Sequence, residues 1–353
     1  RAKAINTYTS SSSATITHTY FLGADAADRY TLPILSLVAD PDGLFDIQSG
    51  IYVSGEAYAE LKDADLTEDE KQLVANFSQH GREWEKKIHI ELFETDEQSV
   101  FSQNGGVRTH GGGSRRNPQK SLRIYARSEY DLQEFFNYPL FIGQTDDQEN
   151  KISPAYQVFL LRNSGQDWMV SMIRDPLIQG LISHTRLDVQ SGRPVIVFLN
   201  GEYWGIYNLQ ERYDEYYFSN QYNISPDNVT ILRQNGVLYR GNQSDQTHFS
   251  SLKNYISNND LSDPYHYNYI QTQMDVDNYI DYLITEIFTG NSDWPDNNIY
   301  LWRKTTDEYV PNSPYGHDGR WRWMLFDMDF GFGLQGYGGG YEHNTLTRAI
   351  PFT

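Results

Sequence analysis

Asp293 and Asn298 stand five residues apart in the segment Asn291-Ser292-Asp293-Trp294-Pro295-Asp296-Asn297-Asn298. An aspartate can take the proton of an attacking hydroxyl, and an asparagine carbonyl oxygen can hold a hard divalent cation. That pair at that spacing, after a long helix and before a strand, is the arrangement of a kinase-type catalytic loop. The spacing alone is a weak signal, because Asn and Asp gather in polar turns anyway. A second feature strengthens it. The run Trp321–Phe326 ends in Asp327-Met328-Asp329-Phe330-Gly331. A carboxylate leaving a strand end shortly after such a loop suits a second metal ligand, and magnesium takes oxygen donors with phosphates completing its shell. Asp327 and Asp329 are the candidates, with Asp327 favoured as the direct ligand.

A third set lies upstream. Gly111, Gly112 and Gly113 precede Ser114, Arg115 and Arg116. A glycine-rich turn lets backbone N–H groups approach phosphate oxygens, and an arginine adds charge. Lys120 begins the next strand, where an ammonium could neutralise α- and β-phosphates. The pattern is neither a Walker loop nor GxGxxG, and a plain β-turn with exposed basic side chains accounts for it as well. Glu211 is a candidate partner for Lys120 or for the nucleotide, or simply a carboxylate at a helix start. Arg162, Asn163, Asp167, Arg174 and Asp175 read as supporting polar groups, the Arg and Asp pairs as structural salt bridges. Asp40, Asp42 and Asp46 read as an acidic turn, since the EF-hand pattern is not met.

These residues need elements to hold them. Leu32–Val38 reads as the first strand, and Thr67–Gln79 as a helix with a Thr67/Glu70 capping box. Ile88–Phe93 reads as a strand, followed by a turn near Asp96 and another short strand. Pro194–Asn208 reads as a hairpin, because Asn200-Gly201 suits a type I′ turn. A helix is expected in the stretch after Glu211. Asp275–Phe288 is the strongest helix, with Ile280, Leu283, Ile284, Ile287 and Phe288 on one face and Gly290-Asn291 as its stop. Ile299–Arg303 and Trp321–Phe326 read as two strands. The glycine-rich end, from Gly333 to Asn344, is expected to be mobile.

The chain has 353 residues, a formal charge of −19, no cysteine, and 27 Tyr, 17 Phe and 7 Trp. The charge argues against nucleic acid as a partner, because phosphate backbones are repelled. The lack of cysteine excludes disulfides, thiolate metal sites and cysteine nucleophiles. No apolar run approaches the roughly 20 residues of a membrane-spanning helix. Residues 7–20 are Ser/Thr-rich and read as a linker or the end of a preceding module. Residues 21–353 read as one domain, with 21–210 as its first lobe and 211–353 as a second lobe that stops short.

Five ordered stretches resemble the spore coat protein H (CotH) kinase family, and specifically its large secreted bacterial members. They are VRTHGGGSRRNPQKSLRIYAR (107–127), FLLRNSGQDW (159–168) with IRDPLIQGL (173–181), VIVFLNGEYWGIYNLQERYDE (195–215), FTGNSDWPDNNIYLWR (288–303) and WRWMLFDMDFGFG (321–333). The resemblance implies an α+β, atypical two-lobed kinase-like fold, with an antiparallel-sheet N-lobe and a helix-containing C-lobe. It implies ATP with Mg²⁺ or Mn²⁺, transfer to a protein hydroxyl, and a secreted or cell-surface location. It makes Asp293 the catalytic aspartate, Asn298 and Asp327 metal ligands, Lys120 the lysine after the glycine-rich loop, and Trp321 a tryptophan near the adenine. Asp329 stands where spore coat members often carry Glu. The segment between Asn298 and Asp327 is longer here than in those members. Two other readings stay open: a binding module of the same fold without catalysis, and a glycan-acting enzyme, which would need two carboxylates straddling a sugar.

Overall fold

The computed structural model describes residues 1–349 apart from 6, 10, 14, 24–28, 96–98, 142–154, 335–339 and 341. The expected turn at Asp96 and half of the glycine-rich end lie outside the described residues. The chain is α+β and divides into two compact units. The first comprises residues 1–138, 157–163 and 193–209, and the second 139–156, 164–192 and 210–353.

The first unit is built on seven strands: β1 (Ile34–Ala39), β2 (Lys86–Phe93), β3 (Ser99–Thr109), β4 (Leu122–Tyr125), β5 (Val158–Arg162), β6 (Gly192–Leu199) and β7 (Glu202–Gln210). They close into a barrel in the order β1-β2-β3-β4-β5-β7-β6. The expectation was an antiparallel sheet. Neighbours from β1 to β5 are indeed antiparallel, but β1 pairs with β6 in parallel, Ile34 opposite Ile196, and this contact removes the open edge. Alternate residues fill the inside, as a period of two requires. Leu35, Leu37, Ile88, Ile90, Leu92, Val107, Ile124, Phe159, Leu161, Val195 and Val197 are essentially inaccessible.

The Asn200-Gly201 hairpin forms as expected, with φ of 53° and 86°. Asn200 also ties the turn to β1, donating its N–H to Leu37 O and accepting from Ala39 N at 2.9 Å. Gly105 and Gly106 belong to β3 and not to a loop. A Cβ on Gly106 would sit 2.4 Å from Glu85 Oε1, so strand packing explains this glycine.

Between β1 and β2 the chain forms α1 (Pro41–Phe45), α2 (Glu56–Glu60) and α3 (Glu68–Gln72). Asp40 caps α1 and Asp46 accepts from Gln48 and Ser49, so these aspartates serve turns. The Thr67/Glu70 capping box is present, but its helix ends at Gln72 and not Gln79. The chain turns extended at Ala75 because Asn76 is pulled away: its side-chain amide donates to Ile47 O and Gly50 O, and its N–H to Ser54 O.

The second unit carries α4 (Arg174–Ile182), α5 (Glu215–Tyr222), β8 (Val229–Arg233), β9 (Val237–Arg240), α6 (Gln243–Asn258), α7 (Pro264–Gln273), α8 (Val276–Thr289), β10 (Tyr300–Lys304), β11 (Arg322–Met324) and α9 (Thr345–Ala349). Its sheet runs β11-β10-β8-β9. Helix α8 forms where expected, capped by Asp275 and stopped by Gly290 at φ 63°. Its orientation differs from the expectation. Ile280, Ile284 and Phe288 are exposed, while Asn278, Tyr282, Thr285, Glu286 and Thr289 are buried. Among the described residues no helix is long and apolar enough to cross a membrane.

Glu85 is one of the buried charges of the barrel unit. It receives Arg108 at 2.8 Å, Arg127 at 2.8 Å, and Arg82. Burial works against its charge, but Arg127 and Arg108 outweigh it and hold the carboxyl below the usual glutamate range. Its folded pKa is depressed, so its contribution is present above pH 4.5 and is lost as pH falls through the folded value. Glu85→Ala should cost about 3 kcal/mol, at the low end for breaking a buried pair because the arginines can partly rehydrate. Urea denaturation at pH 7 and pH 4 checks both points, with a smaller difference between wild type and variant at pH 4.

Candidate active site

In the second unit, Gly290 stops α8 and turns the chain into the loop 291–298. Asp293 is half-buried, and its Oδ2 accepts the side-chain amides of Asn298 at 2.8 Å and Asn297 at 3.1 Å. Asn298 stands at φ 59°, a left-handed conformation that asparagine tolerates better than most residues. Its amide N–H₂ is spent on Asp293, so its Oδ1 is the atom left for a cation. Burial raises the carboxyl pKa of Asp293, and the Asp327 charge raises it further. The Asp327 carboxylate is therefore near enough for its charge to be felt at Asp293.

Strand β11 ends at Met324, before the expected Phe326. Asp327 then takes φ 55° and caps a 3₁₀ turn over Met328–Phe330. The two aspartates of this turn consequently do not share a strand face. Asp327 is partly exposed. Asp329 is buried, and its Oδ2 accepts the backbone N–H of Gln166 at 2.7 Å.

The turn is gripped by residues 164–175, which include Asp167, Arg174 and Asp175, expected as supporting polar groups. Asp167 accepts the N–H groups of Ser171, Ile173 and Arg174, and pairs with the Arg174 guanidinium, which fixes the start of α4. Asp175 accepts Met328 N–H at 2.9 Å and Gln210 Nε2 at 2.7 Å. Gly331 follows, where a Cβ would lie 2.6 Å from Ile178 Cδ1. Glu211, in the same unit, is buried and accepts Ser191 N–H at 3.3 Å.

Trp321 does not stand open for a base. Its ring is fully buried, its Nε1 donates to His248 Nδ1 at 3.0 Å, and the Arg303 guanidinium lies over it at 5.6 Å. His248 and Arg303 in turn line a polar cavity of about 270 Å³ with Gln273 and Tyr309.

The glycine-rich turn and Lys120 belong to the first unit. Gly111, at φ 105°, Gly112 and Ser114 remain accessible. Arg115 is buried and donates to Ser78 O at 3.0 Å and Gln79 O at 3.3 Å. Lys120 is buried over the Phe77 ring, and its Nζ donates to Arg115 O at 2.7 Å and Asn117 O at 3.0 Å. Burial lowers its pKa to about 8. Both cations, expected to face phosphate, thus brace the turn itself. Asn163 helps, donating to Gln119 O at 2.6 Å.

Among the described residues no three His, Cys, Asp or Glu side chains converge as a ready metal cage. A magnesium bound with a nucleotide does not need one, because one or two carboxylates and the phosphates suffice. Two neighbouring carboxylates beside an amide oxygen are a hard-donor set of that kind, and their mutual repulsion is what a divalent cation would relieve.

A family model described as "CotH kinase protein" matches residues 107–349, more than half of the chain. The chain belongs to that family, whose kinase-like character implies use of a nucleotide and a divalent metal in general. No curated protein matches it.

Asp175→Ala leaves Met328 N–H and the Gln210 amide without their acceptor, and each such loss typically costs about 1–3 kcal/mol. We expect faster hydrogen exchange at residues 326–331, measured by mass spectrometry, while the barrel strands keep their protection.

Proposed function

We propose that this protein transfers the γ-phosphoryl group of ATP to a hydroxyl of a protein substrate, with magnesium or manganese. The observation that carries the reading is the Asp293–Asn298 hydrogen bond beside Asp327, in a chain of the CotH kinase family. The barrel unit plays the part of a kinase N-lobe and the second unit that of a helical C-lobe. Asp293 takes the proton of the acceptor hydroxyl as its oxygen bonds to the γ-phosphorus. The bond from that phosphorus to the β–γ bridging oxygen breaks, and ADP leaves. When bound, the cation supplies positive charge at the phosphate oxygens. Asn298 Oδ1 and Asp327 would hold it, with Asp329 orienting the turn through Gln166. In the first unit, the backbone of Gly111, Gly112 and Ser114 is accessible in a turn shaped by Lys120 and Arg115, which is what a phosphate-binding turn needs. We place the enzyme outside a bacterial cell, secreted or surface-attached, and its acidic surface disfavours nucleic acid as a substrate.

ATP with Mn²⁺ should stabilise the protein by roughly 2.7 kcal/mol at about 100 times the dissociation constant. Asp327→Asn should abolish the metal-dependent part of that gain. Asp293→Asn should keep it and lose at least about 10²-fold in phosphoryl transfer. Thermal melts and a γ-³²P transfer assay read these outcomes. If millimolar ATP–Mn²⁺ gives no stabilisation, the protein is a binding module of this fold.

A further inference from the structure

Helix α8 carries a carboxylate where one is costly. Glu286 is 1 % exposed and sits in the last turn, where the negative end of the helix dipole opposes an ionised side chain. Its Oε2 accepts the side-chain amide of Asn291 at 2.8 Å. Asn291 is itself fully buried, and its Oδ1 accepts the backbone N–H of Asp293 at 3.2 Å. A helix residue is thus joined through one asparagine to the loop carrying Asp293.

We infer that Glu286 is a positioning residue for the transfer proposed above: through Asn291 it fixes the backbone of the Asp293 loop, and it does so in its protonated form. The catalytic meaning rests on the proposed role of Asp293, whereas the relay does not. Burial pushes the Glu286 carboxyl up to about 8, the hydrogen bonds of Asn291 and Tyr282 offset part of this, and the Asp293 charge adds to it. At neutral pH Glu286 is therefore uncharged. The charged and titratable groups on the surrounding elements do not compensate an ionised Glu286. Tyr282 shares its helix, Asp293 is acidic, the turn that the Asn291 amide reaches at Met328 Sδ carries Asp327 and Asp329, and Arg348 of α9 pairs with Asp296. Above pH 8 a second buried negative charge would develop beside Asp293. The folded pKa lies above the ordinary glutamate value of 4.5, so the stabilisation is complete below pH 4.5 and is lost as pH rises through about 8.

The test is amide hydrogen exchange of residues 291–298 between pH 6 and 9.5, expressed as protection factors, in wild type, Glu286→Gln and Asn291→Ala. In wild type, protection should fall by up to about tenfold per pH unit from pH 6 towards 8 and level off above it. Glu286→Gln, with the same shape and no charge, should keep its protection at pH 9. Asn291→Ala should be unprotected throughout. A flat wild-type profile, which needs no variant to measure, overturns the proposal, and so does a Glu286→Gln protein already unprotected at pH 7. A parallel melt of wild type with ATP–Mn²⁺ separates the two readings. Its failure removes the catalytic role of Asp293 and leaves the exchange profile to judge the relay.

Discussion

Two carboxylates brought close together set the terms for the second unit. Burial makes a charged Asp293 costly, and the Asp327 charge adds to that cost. Left to relax, such a pair would swing apart into water. The backbone prevents this. Asn298 and Asp327 both take left-handed φ values, which residues other than glycine adopt at some cost. Such conformations persist only where neighbouring contacts determine them, and here those contacts are visible.

On one side, the carboxamides of Asn297 and Asn298 hold the Asp293 carboxylate itself, and Asn291 holds its backbone. On the other, Asp175 and Gln166 hold the turn after Asp327 by its backbone and by Asp329. Most of these partners are amides or backbone groups and not cations. That choice matters electrostatically. Amide and backbone donors hold a carboxylate in place without cancelling its charge. The family's cationic candidates in the first unit show the same economy of charge, since Lys120 and Arg115 are bound to carbonyl oxygens.

Local chemistry made part of this legible in the sequence. The Asn200-Gly201 hairpin, the Asp275 cap with the Gly290 stop, and the Thr67/Glu70 box each depend on residues a few positions apart. The order of Asp293, Asn298 and Asp327 was readable too, because one loop and one strand pair separate them. What stayed hidden was long-range. The Asp329 partner is 163 residues away, and the Met328 partner 153. Barrel closure depends on the parallel register of β1 with β6, which no local period encodes. Lys120 posed a different problem. A lysine after a glycine-rich turn looks the same in sequence whether it reaches outward or binds the carbonyls of its own turn.

The orientation of α8 shows which demand dominates when the two conflict. Its apolar stripe predicts that Ile280, Ile284 and Phe288 face inward, yet all three are exposed. Leaving such side chains in water forgoes roughly 1.5–3 kcal/mol each. Turning the helix to bury them would expose Asn278, which donates to Arg186 O and Trp323 O and accepts Trp323 N–H. It would also withdraw Glu286 from Asn291. The backbone groups stranded in the interior would then lack partners, at about 1–3 kcal/mol each, and leucine-like packing cannot replace them. Leu283 and Ile287, which lie between the two faces, keep part of the apolar gain by packing on the core around Trp321 and Trp323. The helix is thus set by the hydrogen bonds that fix β11 and the Asp293 loop, and its hydrophobic stripe takes the orientation that remains.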